Sequence, residues 1–150
     1  MKSVRLGPED ITPKDTWQLA RWCLGTGSDQ FTCACVSARS QSRSLCDRAD
    51  RALAPFVVVA PLARRSSSSL SATGPRRMWR LNDQSLAALE TFLPDGILTD
   101  RMGADGGWIE DLTLFSSGVI RLRVITHEHL LMLNVTEEEH GHLRGLKLIK

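Results

Sequence analysis

The sequence predicts an α+β fold, in which helices pack on a mostly antiparallel sheet that ends in a C-terminal β-meander. Helical spacing of apolar residues, with matching start and stop signals, recurs in the N-terminal two thirds of the chain. Near residues 108–135 the apolar residues instead alternate with polar ones, as in strands with one buried face. At 150 residues the chain has the size of one domain. We therefore expect a single domain over 1–150, with two to four helices packed on the meander.

The first helix is predicted over Pro13 to Leu24. Thr12 is a typical N-cap residue, proline is favoured at the first helical position, and Gly25 stands just past the end. A Gly/Ser/Asp turn then leads into a strand at Phe31 to Val36.

The middle of the chain is predicted to contain a second helix, a buried strand and a long loop. Helical spacing of apolar residues runs from Ser44 to Leu53, and Pro55 ends it before the strand-like run Phe56 to Val59. From about residue 63 to 77 serines, arginines, glycine and proline dominate. This composition predicts a flexible surface loop within the domain.

A short strand at Met78 to Leu81 and a third helix at Gln84 to Phe92 should follow this loop. Asn82 or Asp83 caps the helix, and Pro94 with its neighbours ends it. A turn-rich connector at 103–107 then leads into the C-terminal third.

The meander is predicted from three runs of alternating residues. In Val119 to Ile125 the apolar positions alternate with Arg121 and Arg123, which should therefore lie on the solvent face. Strands around 112–114 and 131–135 flank it on either side. Thr136, followed by three glutamates, is typical of a capping box and predicts a short final helix.

The four cysteines are predicted to be reduced thiols. They are few for a disulfide scaffold, and the N-terminal residues do not resemble a secretory signal. Cys33 and Cys35 lie two apart on a predicted strand, so they cannot bridge to each other. We expect them to be buried beside Phe31.

The pair His127 and His129 is a candidate metal site. On an extended chain two imidazoles at this spacing face the same way and can hold one zinc ion, with a third ligand from Glu128, Glu139 or the pair at 140 and 142. The competing interpretation is that His127 and His129 are polar residues of a turn. Zinc bound by His127 and His129 would indicate a metal-dependent enzyme. No other cofactor is expected.

Positive charge is concentrated between residues 39 and 80. This segment holds nine arginines and two aspartates, a net charge of +7 that leaves −5 for the rest of the chain. A basic segment of this kind contacts phosphate backbones or an acidic protein. The candidate binding residues are the arginines of this loop and of the meander: Arg64, Arg65, Arg76, Arg77, Arg121 and Arg123.

Binding to another macromolecule, without catalysis, is the function that these features favour. The chain contains no phosphate-binding loop and no nucleophile elbow. Its longest apolar run has twelve residues with two prolines, too short for a membrane span. We expect a cytoplasmic accessory or immunity-type protein, as found in bacteria, whose partner is another protein. Non-specific nucleic-acid binding through the 39–80 segment is the weaker alternative.

Overall fold

The computed structural model describes residues 1–37, 44–58, 77–98 and 107–150, and these residues form one antiparallel sheet with helices packed on it. This confirms the predicted α+β fold. In chain order the elements are β1 (Lys2–Leu6), α1 (Pro13–Gly25), β2 (Gln30–Ser37), α2 (Ser44–Leu53), β3 (Trp79–Arg80), α3 (Asp83–Phe92), β4 (Gly107–Ser116), β5 (Val119–Ile125), β6 (Leu130–Val135) and α4 (Glu137–Gly145).

The strands lie in the order β1-β6-β5-β4-β2-β3, and every neighbouring pair is antiparallel. Strands β4, β5 and β6 are consecutive both in the chain and in the sheet, so the predicted meander is confirmed. Strand β1, which the sequence analysis missed, lies at one edge and pairs with β6 alone. The short strand β3 lies at the other edge.

The starts of α1, α3 and α4 follow from local capping, as predicted. Thr12 Oγ1 accepts the N–H of Asp15 before α1, and Asn82 Oδ1 accepts that of Ser85 before α3. Before α4, Thr136 and Glu139 form a reciprocal capping box. No helix within the described residues is long and apolar enough to cross a membrane.

All four helices pack on the same face of the sheet and share one hydrophobic core. The core side chains of the helices include Leu19 and Ala20 of α1, Ala49 and Leu53 of α2, Leu86 and Leu89 of α3, and Leu143 of α4. They meet a layer contributed by the strands, which includes Phe31, Leu114, Leu122, Val124, Leu131 and Leu133. Each of these strand residues is completely shielded from solvent.

The predicted strand at Phe56 to Val59 is wrong within the described residues. Ala54–Phe56 forms a short 3-10 helix, Val57 makes a single isolated bridge to Trp79, and residue 59 lies outside the described part. Proline fixes its own φ and donates no backbone hydrogen bond, so Pro55 suits a tight turn after α2 better than the start of a strand. The predicted 63–77 loop, apart from Arg77, and residues 103–106 also lie outside the described residues.

The prediction that all four thiols are reduced is wrong for two of them. Cys35 on β2 and Cys46 on α2 form a disulfide, with their Cα atoms 5.6 Å apart. Cys23 and Cys33 are free thiols. The side chain of Cys35 was expected beside Phe31 in the core, yet Cys35 is exposed and its sulfur bonds to the helix above. Spacing along the chain does not reveal this pairing, because it depends on how α2 packs against β2.

Candidate functional site

The sheet face opposite the helices is the candidate functional site, and we call it the open face. Directly paired residues on neighbouring strands project to the same side of a sheet. The apolar residues that the register assigns to the open face include Trp108, Phe115, Ile120, Ile125, Leu130 and Met132. All six are half-buried, and none of them belongs to the hydrophobic core. The helix residues of the core therefore pack on the other face of the sheet and do not cover these six side chains.

A row of paired residues crosses the open face from β1 to β2. In strand order it consists of Arg5, Met132, Arg123, Thr113 and Thr32. The two arginines flank Met132, with their Cα atoms about 10 Å apart, because neighbouring strands lie about 4.8 Å apart. Arg5 is exposed and forms no ion pair within the described residues. Arg123 is half-buried on the solvent face, as the sequence predicted.

The indole of Trp108 is held by a residue of its own strand. Its indole Nε1 donates to Glu110 Oε2, 3.0 Å away and two residues further along β4. The polar edge of the indole is thereby satisfied within the chain, and the apolar part of the ring stays available for contact. The open face thus combines an aromatic anchor, apolar side chains and arginines.

The prediction that Arg121 lies on the solvent face is wrong. Leu114 pairs with Leu122 and Phe115 with Ile120, so Arg121 is an extra residue that forms a bulge in β5. A bulge changes the side on which the extra side chain projects. The residue is 8% exposed, and its guanidinium lies 5.6 Å from the ring centre of Trp22 on α1.

The charge of Arg121 is neutralised inside the molecule. Its Nη2 donates to Glu139 Oε1 on α4 at 2.7 Å. This hydrogen bond lowers the pKa of Glu139 below its ordinary value. Its Nε is buried and has no hydrogen-bond partner among the described residues. The neighbouring Cys23 has a pKa raised to about 12, because burial disfavours the thiolate. Arg121 therefore has a partner within the fold, in contrast to Arg5.

The two candidate metal ligands lie in the β5–β6 turn. Thr126–Glu128 forms a 3-10 helix and His129 has a left-handed backbone with φ of 50°, so the extended chain needed for a shared ion is not formed. His127 Nε2 lies 3.8 Å from Glu128 Oε1. Across the described ranges, no group of three or more His, Cys, Asp or Glu side chains is arranged to hold a metal ion.

His129 instead lines a shallow cleft of about 350 Å³ at the end of β1. Arg5 and Leu130 of the open face line the same cleft, together with Glu9, Asp10 and Glu128. Lys150 Nζ donates to Asp10 Oδ1 at 3.1 Å, and the pKa of Asp10 is lowered, first by the backbone N–H of Gly7 and then by Lys150. The cleft therefore extends the open face at its β1 end and carries mixed charge.

A comparison of the chain with protein-family models, with curated proteins and with solved structures found no match.

The arginines of the 39–80 segment are only partly placed. Arg64, Arg65 and Arg76 lie outside the described residues. Arg77 is exposed, and its Nη1 lies 3.7 Å from Asp50 Oδ1 on α2. Arg80 on β3 pairs with Gln30, which itself pairs with Phe115, so Arg80 belongs to the open face. Of the three candidate arginines within the described residues, Arg123 lies on the open face and Arg77 and Arg121 do not, whereas Arg5 and Arg80 are additional arginines on this face.

Arg5 was missed because strand β1 was missed. The signal was present as Val4 and Leu6 alternating with Ser3 and Arg5. In an edge strand of five residues this alternation is short and easily overlooked. The apolar residues of the open face were missed for another reason, since an apolar residue in a meander is normally assigned to the core.

Proposed function

We propose that this chain is a non-catalytic protein-binding module of the accessory or immunity type, which binds its partner with the open face of its sheet. The supporting observation is the set of half-buried apolar side chains on this face, none of which contributes to the core. Apolar side chains that gather on one surface of a folded protein, outside its core, are typical of an interaction surface. Its position on strands, rather than on loops, makes the surface rigid and pre-organised for binding.

The composition of the open face resembles that of protein interfaces. Trp, Phe, Met and Arg are enriched in such interfaces, and Trp and Arg often contribute most of the binding energy. Trp108, Phe115, Met132 and the arginines supply all four types on one surface. A six-stranded face measures about 30 by 20 Å, or about 600 Å² in plan, close to the roughly 800 Å² that one partner contributes to a standard interface.

The two alternatives receive less support from the described residues. A zinc enzyme needs His127 and His129 on one side of an extended chain, and they lie in a turn. Nucleic-acid binding through the 39–80 segment rests mainly on arginines outside the described residues. Arg48 and Arg51, which are described, lie on α2 among Asp47 and Asp50.

The proposal is tested by purifying the tagged protein from its native host and comparing two variants. Met132→Glu places an acidic side chain on the open face, at a half-buried apolar position. Leu146→Glu is the matched control, because Leu146 is a 51% exposed apolar residue at the end of α4. We expect a stoichiometric partner protein with the unmodified chain and with Leu146→Glu, and its loss with Met132→Glu. Circular dichroism and thermal unfolding establish that both variants are folded.

Two results would overturn this proposal. One is the repeated recovery of the chain without any stoichiometric partner. The other is a partner that Met132→Glu and Leu146→Glu retain equally well, because such a partner would bind elsewhere on the molecule.

A further inference from the structure

We infer that the Cys35–Cys46 disulfide is a redox switch, whose reduction by a dithiol loosens the Trp108 end of the open face. Three features support this switch: the exposure of Cys35, the place of Cys46 on α2 and the strand pairing around Trp108. The structural response needs no partner. Its consequence for partner binding rests on the proposed function.

The N-terminal half of β4 forms a two-stranded ribbon with the end of β2. Residues 107–110 pair with residues 34–37 of β2, whereas the pairing of β4 with β5 begins only at Thr113. Strand β3 pairs with β2 at Gln30 and Phe31, at the other end of that strand. Among the described strands, each half of this ribbon therefore pairs with the other half alone. Because an isolated two-stranded ribbon is marginally stable in water, this one needs an anchor.

The ribbon is anchored to the helix layer by the disulfide and by Ile109. Cys35 pairs directly with Ile109, so both side chains project toward the helices. Ile109 is buried in the core, and Cys35 is bonded to Cys46 on α2. Trp108, which pairs with Val36, projects from the same ribbon to the open face. The position of Trp108 on the open face therefore depends on this anchor.

The helix α2 also depends on the disulfide. It has ten residues, and a helix of this length is marginal in water without tertiary contacts. The residues that it contributes to the core include Ala49 and Leu53, with Leu45 packed against them. The disulfide adds a covalent link between this helix and β2. Its reduction therefore leaves α2 and the ribbon joined by side-chain packing only.

The exposed side of the bridge is Cys35, since Cys46 is only 9% exposed. A dithiol reductant in its thiolate form therefore attacks Cys35 Sγ. The bond between Cys35 and Cys46 breaks, its electron pair goes to Cys46 Sγ, and this sulfur takes up a proton. The second thiolate of the reductant then displaces Cys35, which also takes up a proton. The products are two protein thiols and the disulfide form of the reductant.

Cys46 is well placed to leave as a thiolate. It is the third residue of α2, where backbone amides without a helical acceptor and the positive end of the helix dipole stabilise an anion. A more stable leaving thiolate speeds the exchange. Asp47 opposes this effect, but it is exposed and its charge is screened by solvent.

The switch is tested on the isotopically labelled protein alone, by NMR before and after addition of dithiothreitol. We expect reduction to shift or broaden the indole N–H signal of Trp108 and the backbone amide signals of residues 34–37. The indole N–H of Trp17 is the internal reference, because it is buried and donates to Leu93 O, on elements other than β2, α2 and β4. Replacing the reductant by glutathione disulfide should restore the original spectrum.

Two serine variants make the test specific for the bridge. Cys46→Ser should show the spectrum of the reduced protein without reductant, and it should not respond to dithiothreitol. Cys33→Ser is the matched control, since Cys33 lies on the same strand as Cys35 but outside the bridge, and this variant should keep the full response. Thiol titration establishes the redox state of each sample.

Three results would overturn the switch. One is an unchanged Trp108 signal in a sample whose bridge is shown to be reduced by thiol titration. The second is the loss of the Trp17 signal together with that of Trp108, because the bridge would then hold the whole fold. The third is a bridge that dithiothreitol reduces only in urea.

The consequence for binding is tested by repeating the partner capture with and without dithiothreitol. We expect reduction to weaken retention of the partner about tenfold, because a tryptophan at an interface often contributes strongly to affinity. Equal retention in both buffers would overturn this consequence, while a loss of the partner with Met132→Glu would still support the proposed function. A chain without any partner would overturn the proposed function and leave the NMR response of the bridge intact.

Discussion

Arg121 on β5 and Glu139 on α4 form an ion pair, with Nη2 and Oε1 2.7 Å apart, on the helix-covered side of the sheet. The arginine reaches this side because a bulge makes it an extra residue in its strand. Glu139 has a second role, since its Oε2 accepts the N–H of Thr136 and completes the cap of α4. One carboxylate thus links the centre of the sheet to the start of the last helix.

Replacing Glu139 by glutamine should lower the free energy of unfolding by about 1–2 kcal/mol, because a partly buried charge-assisted hydrogen bond loses its anion. Glutamine keeps an oxygen for the Thr136 N–H, so α4 should remain capped. Urea unfolding followed by circular dichroism measures the effect. Glu138→Gln, on the exposed side of the same turn, should change stability by less than about 0.5 kcal/mol. Equal effects of the two variants would contradict this role of the ion pair.

The same pair predicts a loss of stability in acid. The pKa of Glu139 is lowered in the folded state, chiefly by the hydrogen bond from Arg121. Its contribution is therefore fully present above the unfolded pKa of about 4.3, and it is lost as the pH falls through the lower folded pKa. The stability of the unmodified chain should fall below about pH 4.3 more steeply than that of Glu139→Gln. Parallel pH profiles of urea midpoints would show that another group is responsible.

The elements that the sequence predicted are those with local signals. Each start of α1, α3 and α4 depends on a cap residue and an amide three positions away, so a few neighbouring letters specify it. The meander is similarly local, because its strands are joined by short turns and each has a buried face.

The features that the sequence did not predict depend on distant residues. Strand β1 pairs with β6, whose residues lie more than a hundred positions later in the chain. The Cys35–Cys46 disulfide depends on how α2 packs. The inward position of Arg121 depends on a one-residue difference between β4 and β5, and strict alternation cannot reveal it. The open face also depends on distant residues, because it consists of the sheet residues that the helices do not cover.

The Cys35–Cys46 disulfide should stabilise the fold by about 2–4 kcal/mol, the range expected for a loop of this length. Cys46→Ser should lose this stability in non-reducing buffer. A reductant should lower the stability of the unmodified chain to that of Cys46→Ser. It should not change the stability of Cys46→Ser, and this variant is therefore the control. Thiol titration of the unfolded chain without reductant should find two free thiols, Cys23 and Cys33. Four free thiols would contradict the bridge.

Cys23 should resist alkylation while the protein is folded. Burial raises its pKa to about 12, so almost no thiolate exists near neutral pH, and the residue is fully shielded from solvent. Iodoacetamide followed by peptide mass spectrometry should find Cys23 unmodified in buffer and modified in urea. Cys35, which is exposed, should react in the folded protein once the disulfide is reduced, and it provides the internal control. Rapid labelling of Cys23 in the folded chain would show that this part of the core opens readily.

Thr126 and Asp111 join the β5–β6 turn to the β4 strand by two hydrogen bonds. The Asp111 N–H donates to Thr126 Oγ1 at 2.9 Å, and the Thr126 N–H donates to Asp111 Oδ1 at 3.2 Å. Thr126→Val removes the acceptor while keeping the shape, so it should cost about 1–3 kcal/mol of unfolding free energy. Thr126→Ser keeps the hydroxyl and should recover most of this loss. If urea unfolding finds Thr126→Val as stable as Thr126→Ser, the hydrogen bonds between Thr126 and Asp111 do not contribute to stability.

Gly96→Ala should be strongly destabilising because both the backbone and the space at this position require glycine. Gly96 has φ of +92°, and an added Cβ would lie 2.9 Å from Pro13 Cα and 2.9 Å from Thr16 Oγ1, which accepts the Ile97 N–H. The left-handed backbone alone costs about 1–2 kcal/mol, and the clash adds about 1–3 kcal/mol. Gly118→Ala isolates the first effect, since φ there is +79° and no atom lies within 4 Å of the added Cβ. Thermal unfolding should therefore show a clearly larger loss of stability for Gly96→Ala than for Gly118→Ala. Equal losses of stability would mean that the close contact between Gly96 and α1 can relax without an energetic cost.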